Sequence, residues 1–361
     1  MPINESATKA RDIITSYNGS KYNGSKLRIM EVCGTHTHEI FKLGIRRLLP
    51  DSIELISGPG CPVCVTPISY IDEAVMLALD KHVTITTFGD LIRVPGTEMS
   101  LAGARSKGAK VNVVYSPLDS LEYAKKHPDE QVVFLAIGFE TTTPGSVISV
   151  REAQRTGVQN FSILTANKTM FNAYLALKGS ADAFLYPGHV STMTGMADYY
   201  RLRDEYGISG VVAGFTGSEV LVALAAIIKK VEEGEPFALN CYPAVVTEEG
   251  SPTARKLVDS LMEPCDSEWR GLGVIKNSGL KLRSEYSEYD ARIKFDLPEL
   301  EGTPNPACRC GEVLLGKFKP YDCKVFGKGC TPEHPIGACM VSGEGACSAF
   351  YKYGGDIWNK Q

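Results

Sequence analysis

From Leu27 onward the chain repeats one pattern: an apolar run of strand length, a turn rich in Gly, Thr, Pro or Cys, then an amphipathic stretch of helix length. Eight such units are present, with strand ends at Val32, Ile56, Thr87, Val114, Ile137, Leu164, Leu185 and Ala213. Apolar strands alternating with helices predict parallel sheets covered on both faces. Turn signals at residues 117–129 divide the units into two similar four-stranded parallel α/β domains, residues 26–120 and 121–218. A closed eight-stranded barrel is the alternative for the same rhythm. Internal echoes favour the split: residues 89–97 and 138–146 share a G-x5-P-G frame, and residues 57–61 resemble 185–189.

Beyond a helix around residues 221–233 the apolar runs shorten and Gly and Pro become frequent. This predicts an irregular α+β domain of residues 219–361, joined by an N-terminal helix within residues 1–25 whose apolar positions are Ala7, Ile13 and Ile14.

The 361 residues are 43% hydrophobic and 22% charged, with a net charge of -4. That is an ordinary globular balance, without the basic surplus expected of a nucleic-acid binder. No apolar run is long enough to cross a bilayer, and no secretory h-region opens the chain, so a cytoplasmic protein without membrane association is expected. Eleven cysteines change the picture, because cytosolic thiols stay reduced and serve metal or redox chemistry more often than structural disulfides. Three precede residue 65, two stand apart at 241 and 265, and six lie between Cys308 and Cys347.

The turn at Gly58-Pro59-Gly60-Cys61-Pro62-Val63-Cys64 places a C-x-x-C pair on a stiff loop before a helix expected to start at Thr66-Pro67. A helix N-terminus there would favour a thiolate at Cys64 and less so at Cys61; the plainer reading is a tight turn with two inert thiols. In open α/β sheets ligands bind beyond the strand ends. The first such end carries Cys33, His36 and His38, a thiol with imidazoles that suits iron, copper or zinc. Glu140 and Thr141 follow the fifth strand and His189 the seventh. Each of these polar residues also suits a helix cap or turn. No P-loop and no G-x-G-x-x-G follows the first strand, so nucleotide binding has no support. The six C-terminal cysteines contain no C-x2-C zinc knuckle, and with Arg309, Lys317, Lys319, Lys324 and Lys328 interspersed they suit an iron–sulfur cluster. Spacing alone leaves all fifteen sets of four ligands open.

Five strings carry a family resemblance over essentially the whole chain: Cys33-Gly34-Thr35-His36-Thr37-His38, residues 58–66, Gly138-Phe139-Glu140-Thr141-Thr142, Pro187-Gly188-His189-Val190-Ser191 and a C-x14-C-x6-C-x16-C pattern. They resemble the signatures of the hydrogenase maturation factor HypD family. The resemblance implies that Cys308, Cys323, Cys330 and Cys347 hold a [4Fe-4S] cluster, with Cys310 and Cys339 as a redox pair beside it. It implies a scaffold that, with the partner HypC, assembles the Fe(CN)2CO unit for the large subunit of [NiFe]-hydrogenase, with cyanide arriving from HypE and HypF. Cys33 would ligate that transient iron, His36 would serve as ligand or proton donor, and Cys61 and Cys64 would alternate between dithiol and disulfide. Such a protein is an assembly scaffold rather than a conventional turnover enzyme. An iron–sulfur-dependent protein disulfide reductase is the alternative.

Overall fold

The computed structural model describes residues 5–19 and 25–355. Two parallel sheets and one antiparallel hairpin are built from β1 (Leu27–Glu31), β2 (Ile53–Ser57), β3 (Thr84–Thr87), β4 (Val111–Val113), β5 (Val132–Gly138), β6 (Phe161–Asn167), β7 (Ala183–Pro187), β8 (Gly210–Ala213), β9 (Ala238–Asn240), β10 (Met262–Trp269) and β11 (Gly273–Leu282). The eight expected strands are all present. The α/β class with two parallel sheets is therefore as the alternation requires.

Strand order departs from the expected consecutive grouping. One sheet has five strands in the order β2-β1-β7-β8-β9, and the other has four in the order β4-β3-β5-β6. The chain leaves the first sheet after β2, builds the whole second sheet, and returns at β7, which pairs in parallel with β1. A boundary at residue 120 would therefore separate β4 from β5, which share a sheet. Local alternation reports which segments are strands; pairing partners are chosen by packing between distant segments, which the rhythm does not encode. For the same reason the two echoes do not relate the sheets to each other. Residues 89–97 and 138–146 follow strands of the four-stranded sheet, and residues 57–61 and 185–189 adjoin strands of the five-stranded one.

The central strands β5, β7 and β8 are buried along their whole length, because helices cover both faces. Helix α1 (Glu5–Ser16) buries Ala7, Ala10 and Ile14 and packs on the helix Gly217–Glu233, so it lies on the five-stranded sheet. A Ser116–Asp119 capping box with Pro117 at the first helical turn starts the helix Pro117–Lys126, and a Thr216–Glu219 box starts Gly217–Glu233. The antiparallel β10–β11 pair crosses the end of β6. Short helices and turns fill residues 301–355. Among the described residues no helix is long and apolar enough to cross a membrane.

Candidate functional site

In the five-stranded sheet the order reverses between β1 and β7, and this is where a parallel sheet opens a crevice beyond its strand ends. Two polar turns meet there. Cys33 is the N-cap of helix α2 (Gly34–Lys42), with the backbone N–H groups of His36 and Thr35 directed at its sulfur. Burial nevertheless pushes its thiol up to about 12; the His36 N–H opposes that shift and the Glu344 carboxylate adds to it. Cys33 is thus held as a neutral thiol.

His36 is fully buried, with Nε2 at 2.9 Å from the Gly214 carbonyl. A carbonyl only accepts, so Nε2 carries the hydrogen and Nδ1 keeps its lone pair, which has no partner. Burial lowers the ring's pKa to about 4, outweighing the Gly214 and Ala213 carbonyls. The imidazole is neutral, and its free nitrogen can bind a metal or accept a proton. Phe215 stacks on His36 at 4.8 Å and on His189 at 3.9 Å. The Glu219 carboxylate fixes that turn by accepting the N–H groups of Phe215 and Thr216, each at 2.9 Å. Desolvation also lowers the pKa of His189, which is exposed, against the pull of Glu344.

The turn after β2 touches the turn after β1. A Cβ on Gly60 would lie 2.1 Å from the Cys33 nitrogen, so only glycine permits this approach. Cys61 caps the one-turn helix α3 (Pro62–Val65), and Cys64 lies inside it. A single helix starting at Thr66 is not what forms: Thr66 ends α3, its hydroxyl donating back to the Pro62 carbonyl at 2.9 Å, and α4 (Ile68–Leu79) begins beyond Pro67. Cys64 consequently gains no thiolate. Hydrogen bonding to Cys339 and Cys61, together with burial, raises its pKa well above the usual thiol value. Hydrogen bonds from Cys310 and Cys64 lower Cys339 instead. Cys61, Cys64, Cys339 and Cys310 thus form a continuous file of thiols, and Cys310 also reaches Cys308 and Cys347. All eleven cysteines are free.

Cys308, Cys310, Cys323, Cys330 and Cys347 line one small cavity walled by Val313, Val325, Phe326, Ile336 and Met340. A Cβ on Gly337 would lie 2.5 Å from the sulfurs of both Cys308 and Cys310. The Ile336 N–H donates to Cys330 Sγ at 3.3 Å, and Gly337 adds a second backbone donor. Thiols around an apolar space, with N–H groups aimed at a sulfur, are a donor set for a soft metal centre.

Several expected residues lie elsewhere. Thr141 is exposed. Glu140 accepts the Met170 N–H at 2.8 Å, its Oε2 is buried without a partner, and burial raises its pKa to about 7. It faces Tyr174, Tyr199 and Asp198 rather than the thiols. His38 ties the C-terminal segment to α2 through the Gly343 carbonyl at 3.1 Å and an edge contact with Tyr353. Cys241 and Cys265 stand outside the file.

Two residues at the site were not singled out by sequence reasoning. Glu344 accepts a 2.8 Å bond from the Thr35 hydroxyl and lies against Gly34, Cys33 and His189. Arg270 is buried, donates to the carbonyls of Thr66 and Pro95 at 2.8 Å each, and has the sulfurs of Cys310, Cys308, Cys339 and Cys64 around it. The available signals were a carboxylate flanked by glycines three residues before Cys347 and an arginine beside a Gly turn.

Fold and site together define a two-sheet α/β protein whose sheet crevice is linked by thiols to a cysteine-lined cavity. Among known proteins, the family model for HypD, described as "Hydrogenase formation hypA family", matches residues 8–354. The HypD hydrogenase maturation factor of Azotobacter vinelandii is 43% identical over 338 residues, covering 91% of this chain and 89% of the relative. That of Escherichia coli K12 is 43% identical over 332 residues, again 91% and 89%. The Cupriavidus necator protein is 42% identical over 343 residues, 92% and 90%. The chain belongs to the HypD family of hydrogenase maturation factors.

Proposed function

We propose that this protein is the scaffold and electron relay on which, with HypC, the Fe(CN)2CO unit of [NiFe]-hydrogenase is assembled before delivery to the large subunit, cyanide being supplied by HypE with HypF. The observation that carries this reading is the file of thiols that runs from the cysteine-lined cavity to Cys61, whose turn packs against Cys33 through Gly60. The cavity residues fit a [4Fe-4S] cluster held by Cys308, Cys323, Cys330 and Cys347: their sulfurs surround a space, and backbone donors aim at Cys330. When bound, such a cluster supplies electrons one at a time.

The chain's own residues account for the remaining work. Cys33, buried beside the N–H groups of α2, would bind the incoming iron as a thiolate and release its proton to a base, and neutral His36 offers Nδ1 as ligand or as that proton acceptor. Release of cyanide from a thiocyanate-like donor, RSCN, consumes two electrons and one proton and yields RSH and cyanide. Cys61 and Cys64 supply both electrons as their dithiol becomes a disulfide, and Cys339 and Cys310 restore the dithiol by exchange. A protein disulfide reductase is disfavoured because Cys61 and Cys64 are 3% and 1% exposed, which leaves no thiol for a protein substrate to reach.

Infrared spectroscopy of the anaerobically purified complex with HypC tests this reading. Bands of iron-bound cyanide and carbon monoxide are expected, and their absence overturns it. Cys33→Ala should abolish them while sparing the visible absorption of the cluster.

A further inference from the structure

A second cavity, of about 440 Å³, opens from the surface onto the thiol file and is the size of a small-ligand site. Its buried end is formed by Arg270, Cys310 and half-buried Cys308; Arg309 and Lys317 stand at its exposed margin, and the carboxylates of Glu268 and Glu312 also line it. Arg270 is 9% exposed, two of its nitrogens bind carbonyls, and no carboxylate among the described residues pairs with it. A buried guanidinium whose only anionic neighbours are cysteine sulfurs, at the end of an open cavity, favours an anion entering from solvent. At the margin, Arg309 is already matched by Glu312, whereas Lys317 forms no ion pair among the described residues. Cys339 is fully buried and does not line this cavity, so Cys310 is the redox-pair sulfur that a ligand meets.

We propose that this cavity binds a small thiol bearing a carboxylate, held by Arg270 and Lys317, and that such a thiol delivers reducing equivalents to the relay at Cys310. The inference rests on the electron-relay reading above. With the pair oxidised, the ligand's thiolate attacks Cys310 Sγ, the Cys310–Cys339 bond breaks, and Cys339 leaves as a thiolate. A second thiolate of the same class then attacks the ligand sulfur of the mixed disulfide. The symmetrical disulfide departs, and Cys310 and Cys339 take up the two protons that the thiols released. Two thiols are thereby oxidised to one disulfide, and the protein gains two electrons. A folded donor cannot bring its own dithiol to the end of a cavity of this size.

The test uses the full-length protein after mild anaerobic oxidation, with alkylation and peptide mass mapping to follow each cysteine. Reduction of the Cys310–Cys339 disulfide is timed with 3-mercaptopropionate, 2-mercaptoethanol and cysteamine, each rate normalised to that thiol's rate with a free model disulfide. The anionic thiol should be faster than the neutral one by roughly tenfold, and the cationic thiol slowest. Lys317→Glu should erase most of that preference without unfolding the chain, and Cys339→Ser incubated with oxidised glutathione should accumulate a glutathione adduct at Cys310. Equal normalised rates, an adduct on another cysteine, faster reduction by thioredoxin than by any small thiol, or no Cys310–Cys339 disulfide after oxidation would each overturn the proposal. If instead this pair is reduced with the expected charge preference while Cys61 and Cys64 stay oxidised, the relay reading fails and the binding site stands.

Discussion

The two parallel sheets reverse strand order at the same place yet use the opening differently. Numbered within each sheet, the strands run second, first, third, fourth in both, with β9 added to one. In the five-stranded sheet the crevice between β1 and β7 holds Cys33, His36 and His189, with Glu344 laid across it. In the four-stranded sheet the end of β6 meets the β10–β11 hairpin, and a cavity of about 710 Å³ lined by Thr165, Asn167, Ser267 and Glu268 lies between them. There Lys168 Nζ donates to the Ser267 hydroxyl at 2.7 Å and the Glu268 carbonyl at 2.5 Å, 5.2 Å from the Trp269 ring. Arg292 grips both oxygens of Glu73 at 2.7 and 2.8 Å and bonds the Thr165 carbonyl. One sheet end presents a thiol and two imidazoles, and the other is bridged by structural hydrogen bonds and an ion pair. Topology supplies an opening, and the residues that fill it decide its use.

The comparison breaks most visibly by substitution at each sheet end. Cys33→Ser should reduce hydrogenase maturation in cells to background with the fold intact, measured by hydrogenase activity and by melting temperature. Arg292→Ala should do the reverse. It leaves Glu73, 8% exposed, without its partner and should cost about 3–5 kcal/mol in denaturant unfolding, while maturation per folded molecule survives. Loss of maturation without loss of stability would place chemistry at the second sheet as well.

A smaller effect, of opposite sign at the two sheet ends, should appear in stability against pH. His36 stays neutral in the fold while the unfolded chain gains a proton below about 6.5, so it removes stability as pH falls from about 6.5 to about 4. Glu140 stays protonated in the fold while the unfolded chain loses its proton above about 4.5, so it removes stability as pH rises from about 4.5 to about 7. Each contribution is at most about 3 kcal/mol. His36→Phe should flatten the acid limb of a melting-temperature profile, and Glu140→Gln the limb between pH 5 and 7. Identical profiles would show that neither group is held as its burial implies.

Much of this was legible because strands and thiols leave local marks. The apolar runs located every strand of the two sheets except β9. The hairpin escaped because β10 alternates buried and exposed residues without the continuous apolar run of its neighbours. Cys33, Cys61 and the C-terminal cysteines could be named from their turns, but their contiguity could not, since Gly60 against Cys33 and Cys64 against Cys339 join segments far apart in the chain. Cys64 was expected to be the thiolate because a helix start was assigned at Thr66. The extra turn at Pro62–Val65 removes that helix start from Cys64, and hydrogen bonds from Cys310 and Cys64 lower Cys339 instead. Glu344 and Arg270 act only through such distant contacts and carry no motif of their own.

The finest comparison concerns how each opening is covered. The Thr35 hydroxyl holds Glu344 Oε1 at 2.8 Å, so a side chain of α2 secures the segment that crosses the first crevice. At the second sheet Thr169 secures the hairpin through its backbone N–H, 2.9 Å from the Ser278 carbonyl. Valine keeps the shape of threonine and deletes only the hydroxyl. Thr35→Val should therefore cost about 1 kcal/mol and raise amide exchange across residues 342–345, because a hydrogen bond to a half-buried carboxylate is lost. Thr169→Val leaves its backbone donor in place and should change stability by less than about 0.5 kcal/mol, with no new exchange in β11. Equal effects at the two threonines would mean that Glu344 is held by its own loop rather than by α2, and the cover over Cys33 would then be fixed instead of releasable.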